Sequence, residues 1–142
     1  MKNLNIVKLL CYSGLIPFFS LPVLNFYLNS FIIIDIFSIY SLVILSFLFG
    51  STWLYLIIFE NKLNIVRYLY IVILSPIFLI FCELFLKVEI KFFVYSIFYF
   101  LILCIDKKFL SSFDYLKIRK NLTILVIISH ITMLISIYTN GL

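Results

Sequence analysis

Between Asp35 and Glu60 lie 24 residues, 36–59, without a single charged side chain. At about 1.5 Å per residue, a helix of that length crosses the roughly 30 Å hydrocarbon core of a bilayer. No water satisfies backbone N–H and C=O groups in lipid, so a crossing segment of this kind is expected to be helical. Its small and polar residues Ser46, Gly50 and Trp53 fall at i, i+4 and i+7 and share one face, while Leu45, Phe47, Leu48 and Phe49 fill the others. That face is the expected packing surface, because small residues let two helix backbones approach.

The remaining sequence repeats the theme. Of the 142 residues 65% are hydrophobic and 12% charged, against about 25% charged in soluble domains, and this sets the soluble classes aside. The expected fold is all-α: a polytopic integral membrane helical bundle with five transmembrane helices, forming a single membrane domain over residues 1–142. The spans are placed at about 6–28, 36–59, 68–86, 88–105 and 122–138, with an inner-side amphipathic loop at 106–121. A first span without a small-x-small cleavage pattern is expected to stay uncleaved.

The fourth span is the weakest, since 92–105 supplies only 14 uncharged residues. Charge asymmetry decides in its favour. With five spans, Lys2, Lys8, Lys62, Arg67, Lys107, Lys108, Lys117, Arg119 and Lys120 share one side, nine of the eleven basic residues, against Lys87 and Lys91 on the other. The positive-inside rule then puts the N-terminus inside and the C-terminus outside. Lys91 is expected to snorkel and lengthen the fourth span toward Val88. The net charge of +5 is accounted for by this flanking pattern, so nucleic acid is not an expected partner. Anionic lipid headgroups at the inner-side basic loop are.

Prolines mark the first and third spans. Pro17 and Pro22 are expected to release the carbonyls of Ser13 and Phe18, kinking the first span, and Asn29 with Ser30 to turn the chain into the second. Pro76 frees the carbonyl of Val72, with the Ser75 hydroxyl nearby to compensate. Glu83 and Lys87, one turn apart, allow a helical ion pair. In the loop, Ser111 and Asp114 have capping-box spacing. Asp106 and Arg119 leave the fourth span and enter the fifth at the same inner edge, where they are placed to pair and pin the loop.

Counted inward from the span ends, Pro17, Ser46, Pro76, Tyr99 and His130 fall near one depth. Broken helices meeting polar side chains at the midplane form the binding sites of small transporters. Interhelical hydrogen bonding is the plainer explanation, worth about 0.6 kcal/mol per contact on average. His130, an ionisable residue near the bilayer centre, is the leading functional candidate. A lone histidine supplies no bis-imidazole ligation within one chain. Cys11, Cys82 and Cys104 lie in apolar segments without CxxC spacing, so neither a metal site nor a disulfide framework is expected. No nucleophile–base pair, HExxH or glycine-rich phosphate loop occurs, and no enzyme activity or cofactor is expected.

The stretch Tyr40-Ser41-Leu42-Val43-Ile44-Leu45-Ser46-Phe47-Leu48-Phe49-Gly50-Ser51-Thr52-Trp53 resembles the second-span signature YGAxILSFLGGxxWG of the domain of unknown function 3429 family, which includes transmembrane protein 69-like proteins. Gly14-Leu15-Ile16-Pro17-Phe18 is similar to its first-span GLIPF and Leu74-Ser75-Pro76 to its third-span proline. Asp106 followed by Tyr115, Arg119, Leu122 and Thr123 is similar to its D…WYxxLRxxLT segment. Ser41, Phe49 and Leu54 stand where that pattern has glycine, and Thr52 where it usually has His or Arg. Phe49 is therefore expected to hold a neighbouring helix farther off. The resemblance implies an integral membrane protein of bacteria or mitochondria with no established activity. With no Arg-rich transit segment in view, the bacterial inner membrane is the expected location.

Three readings follow. The first is a non-enzymatic structural or assembly partner of other membrane proteins, or of a second copy of itself, held by the Ser46–Gly50–Trp53 face. The second is a small transporter or channel using the midplane residues. The third is a haem or quinone protein that pairs His130 across a dimer.

Overall fold

The computed structural model describes residues 2–58, 65–109 and 113–140, with side chains described for 8–58, 65–109 and 116–139. These residues form six helices: α1 (Lys2–Ser13), α2 (Ile16–Leu28), α3 (Phe31–Ile58), α4 (Ile65–Phe85), α5 (Val88–Phe109) and α6 (Phe113–Asn140). Five segments are long and apolar enough to cross a membrane: Lys8–Leu28, which joins the end of α1 to α2, and Phe31–Ile58, Ile65–Phe85, Val88–Phe109 and Leu116–Thr139. The chain is a multi-pass membrane helical bundle.

The first span breaks at Gly14–Leu15, not at a proline-centred kink. Pro17 lies in the first turn of α2, where its missing N–H deprives the helix of nothing, so it starts a helix where a kink was expected. The break is closed by Leu15 N–H bonding the Tyr12 carbonyl at 3.0 Å, and the Gly14 carbonyl accepts the Tyr40 hydroxyl of α3 at 2.8 Å. At the far end of α2, Asn29 takes a left-handed conformation (φ 45°), returns its N–H to the Asn25 carbonyl and turns the chain into α3.

Helices α2, α3, α5 and α6 pack in a closed ring, each against its two neighbours, while α4 lies mainly along α3 and α1 touches α6. The face that α3 buries carries Phe37, Ser38, Ser41, Leu45, Phe49, Thr52 and Leu56. This corrects the expected packing face. Gly50 and Trp53 are exposed, Ser46 is half-buried, and a Cβ added at Gly50 would meet nothing within 4 Å. The physical reason is that the ring needs bulk at its centre. Phe49, wholly buried, sets its ring edge-on to Phe98 of α5 at 6.0 Å between centroids, and Leu45 fills the turn before it.

The weak fourth span becomes a full helix of 22 residues, because polar side chains at both ends find partners inside the protein. Lys91 reaches across to Glu83 of α4 at 3.2 Å instead of snorkelling outward. Glu83 therefore pairs with Lys91 and not with Lys87, which lies beyond the end of α4 at Phe85, where helical i+4 spacing no longer applies. The Ser75 hydroxyl bonds the Ile71 carbonyl at 2.6 Å, one residue before the carbonyl that Pro76 releases. The 106–121 loop is also much shorter than expected: α5 runs through Phe109 and α6 begins at Phe113. The Ser111–Asp114 capping box lies outside the residues whose side chains are described.

Truncating Phe49 to alanine opens a hole at the centre of the ring, whereas Gly50→Leu adds a side chain into open space. Unfolding followed by circular dichroism in mild detergent should show Phe49→Ala destabilised by about 3–5 kcal/mol and Gly50→Leu close to the parent.

Candidate functional site

Polar side chains inside the bundle gather at three levels, each tying helices that are distant in sequence. At the level nearest the α4–α5 connection, Glu83 accepts from the Ser38 hydroxyl of α3 at 2.7 Å, from the Tyr95 hydroxyl of α5, and from the Lys91 ammonium. Toward the same end of the bundle, the Asn25 amide of α2 donates to the Ser136 hydroxyl of α6 at 2.8 Å.

The middle level is centred on His130, whose residue surface is fully buried. Its Nδ1–H donates to the Val126 carbonyl one turn back at 2.8 Å, and Nε2 lies 2.7 Å from the Ser41 hydroxyl. With the single ring proton on Nδ1, Nε2 accepts the Ser41 proton, and both nitrogens are used within the chain. The Tyr99 hydroxyl donates to the Ser41 carbonyl at 3.0 Å, which joins α3, α5 and α6 at one point. The rings of Phe18, Phe37, Phe92, Tyr95 and Tyr99 surround the imidazole at 5.3–6.4 Å between centroids. This cage leaves no edge of the imidazole exposed.

The third level, toward the α5–α6 connection, is the ion pair of Asp106 and Arg119, Oδ2 to Nε at 2.7 Å, with side-chain exposures of 2% and 9%. The Thr52 hydroxyl lies 2.8 Å from Asp106 Oδ1 and 3.0 Å from the Leu48 carbonyl, with one proton to share between them. Arg119 Nη2 approaches the Ser51 and Thr52 hydroxyls at 3.4 and 3.5 Å. Asp106 and Arg119 are thus parts of helices α5 and α6, buried between them, and not loop residues at an edge. No buried side-chain nitrogen or oxygen among the described residues lacks a partner.

Of the five residues expected to share a midplane site, Tyr99 and His130 come together, 5.7 Å apart between rings. Pro17, Ser46 and Pro76 are half-buried and are not among their hydrogen-bonding partners. The hydroxyl at His130 belongs to Ser41, five residues before Ser46 on the buried face. Asn25 and Ser38 have no place in the sequence reading, Ser41 and Thr52 enter it only as departures from the family pattern, and Glu83 only as half of a helical ion pair. Ser38, Ser41, Leu45, Phe49, Thr52 and Leu56 repeat at three- and four-residue steps, so the helical stripe was present in the sequence, but small-residue spacing favoured the opposite face. No group of three or more His, Cys, Asp or Glu side chains gathers to hold a metal ion among the described residues.

Replacing one member of the buried ion pair leaves the other charge unpaired, at a cost of about 3–5 kcal/mol, whereas replacing both by apolar groups is close to neutral. Asp106→Leu and Arg119→Met should each lower the thermal midpoint in detergent, and the double variant should recover most of the loss. A double variant as unstable as the sum of the singles would show that the pair is not energetically coupled.

A family model described as "Protein of unknown function (DUF3429)" matches residues 4–135. Comparison with curated proteins and with solved structures found no match for the chain.

Proposed function

Because the chain belongs to the DUF3429 family of proteins of unknown function, we propose from its geometry that it is a non-enzymatic structural or assembly partner of other membrane proteins. The observation that carries this reading is the satisfaction of the polar interior. His130, Asp106, Arg119 and Glu83, the groups best suited to acid–base or ion-coupled chemistry, are all hydrogen-bonded to side chains of neighbouring helices. Polar groups so arranged fix the register of a bundle, the role of interhelical hydrogen bonds in membranes. Haem ligation by His130 finds no support in this arrangement, since its two nitrogens already face Val126 and Ser41.

In this proposal the protein lies in a bacterial inner membrane with its lysine-rich side inward, as the nine-to-two division of basic residues favours. Anionic headgroups are attracted to that side at about 1 kcal/mol per charge. The outward face of α3 is the assembly surface. Gly50 leaves backbone open on that face, flanked by the exposed rings of Phe47 and Trp53, and close backbone approach is what drives helix association in lipid.

The test is affinity purification of the tagged protein from its own membrane in mild detergent, with mass spectrometry of what accompanies it. A stoichiometric protein partner, or a second copy, is expected with the parent chain and lost with Gly50→Leu, which keeps the melting behaviour of the parent. If Gly50→Leu retained every partner, the outward face would not be the assembly surface. A substrate-dependent flux through the reconstituted parent that fell in His130→Ala would favour the transporter reading instead.

A further inference from the structure

A cavity of about 410 Å³ opens between the break in the first span, α3 and α6. Its wall is almost wholly apolar, with Gly14, Leu48 and Leu122 among the lining residues. Aromatic side chains from three helices, Phe18 of α2, Phe47 of α3 and Tyr99 of α5, share that wall. Two lining residues, Leu10 of α1 and Phe47, are 64% and 71% exposed, so the mouth opens sideways between α1 and α3, toward the hydrocarbon of a surrounding bilayer. The volume lies in the range of about 300–1,000 Å³ that accommodates a small-molecule ligand.

One polar group in this wall is unspent. Thr123 of α6 lines the cavity and is 5% exposed, yet its hydroxyl has no hydrogen bond among the described residues. Elsewhere in the bundle Ser51, Thr52, Ser75, Ser96, Ser129 and Thr132 each bond a carbonyl three or four residues back. No side-chain oxygen that the described residues seal off lacks a partner, so the Thr123 hydroxyl opens on the cavity. Tyr99 and Arg119, also in the wall, are already engaged: the Tyr99 hydroxyl donates its proton to the Ser41 carbonyl, and Arg119 is paired with Asp106. A hydroxyl proton without an acceptor is costly where no water reaches, and the missing acceptor has to come from outside the chain.

Charge and depth narrow what carries that acceptor. With Arg119 answered by Asp106, an ionised ligand would bring an unmatched charge into an apolar slot, so the ligand is neutral. Thr123 lies seven residues past Leu116, where its span begins, or about 10 Å along the helix. That is deeper than the ester groups of a phospholipid, which stay at the headgroup level. A neutral molecule that carries a carbonyl into the hydrocarbon fits this depth, and the aromatic wall suits a flat ring. We propose that the cavity binds one lipophile of the quinone class, its ring against the Phe18 and Tyr99 side of the wall. One ring carbonyl accepts the Thr123 hydroxyl proton, and the alkyl tail leaves past Leu10 and Phe47 into the lipid. The ligand is held and not transformed.

In the test, the full chain in mild detergent is offered equal amounts of an alkyl naphthoquinone and the alkyl naphthalene of the same skeleton, and bound copies are counted by native mass spectrometry. One naphthoquinone per chain should be retained, in preference to the naphthalene by about threefold to tenfold, as one hydrogen bond supplies. Thr123→Val keeps the shape of the side chain and removes only an unpaired hydroxyl, so it should melt like the parent and hold the two probes equally. Equal retention of both by the parent would reduce the cavity to an apolar void, and retention of neither would leave the hydroxyl to water; either result overturns the proposal. A preference that survives in Thr123→Val would place the quinone elsewhere and also overturn it. So would a co-purified diacyl lipid that the naphthoquinone fails to displace.

Discussion

Inside a bilayer there is no water to complete a hydrogen bond, and this constraint governs where every polar atom of the chain goes. The backbone meets it by forming helices. Where the helix fails, at Gly14, a side chain steps in: the freed carbonyl takes the Tyr40 hydroxyl, and the break becomes a contact between the first and second spans. The side chains meet the same constraint by bonding one another across the ring, and the helices are tied together as a consequence. Apolar surface supplies little driving force between helices in lipid, so packing and these bonds decide how the helices are arranged.

The three polar levels divide the task. Glu83 with Ser38, Tyr95 and Lys91 gathers α3, α4 and α5 at one end, and Asp106 with Thr52 and Arg119 gathers α3, α5 and α6 at the other. Ser41 and Thr52 are eleven residues apart, about 16 Å along a helix axis. Leu45 and Phe49, both wholly buried, fill that interval on the same face of α3. The polar levels are therefore separate locks with an apolar layer between them on the α3 side, and not a continuous hydrophilic path. On the side of α1 and α6 the same interval is occupied by the lateral cavity, which runs from Tyr99 to Arg119. The bundle is tightly packed on one flank and open on the other.

The helical class and the five membrane-crossing segments were legible in the sequence, because length and absence of charge are properties of single segments, and the family was legible from its motifs. The pairing of Asp106 with Arg119 was suggested by their places at the ends of neighbouring spans, yet their depth was not. Each looked like an edge residue because its neighbours are lysines, and burial came from the other helices that close over them. The face of α3 was misread for a related reason. A small residue allows close approach but does not require it, and which of two faces turns inward depends on what the rest of the ring presents. Here the ring presents aromatic side chains from α2 and α5 and the His130 imidazole from α6, and Ser41 and Phe49 fit them where Gly50 does not. Likewise the partner of Glu83 depended on where α4 stops, a boundary that a four-residue spacing does not reveal.

Of the four departures from the resembled second-span pattern, Ser41, Phe49 and Thr52 fall on that buried face, while Leu54 is exposed. Glycine at 41 would leave His130 Nε2 without its hydroxyl, so the imidazole and Ser41 are matched in this chain. Phe49, expected to hold a helix away, instead stands edge-on to Phe98 and fills space that glycine would leave to another side chain. A basic residue at 52 would bring a second cation to the carboxylate that Arg119 already neutralises. Threonine supplies a neutral donor to Asp106 Oδ1 in its place, which keeps the buried cluster at one positive and one negative charge. A buried cluster with an extra charge is expensive in lipid, so a neutral hydroxyl at position 52 suits the Asp106–Arg119 pair. Ser41, Phe49 and Thr52 thus answer to one set of contacts, and the face they share holds the bundle together from within.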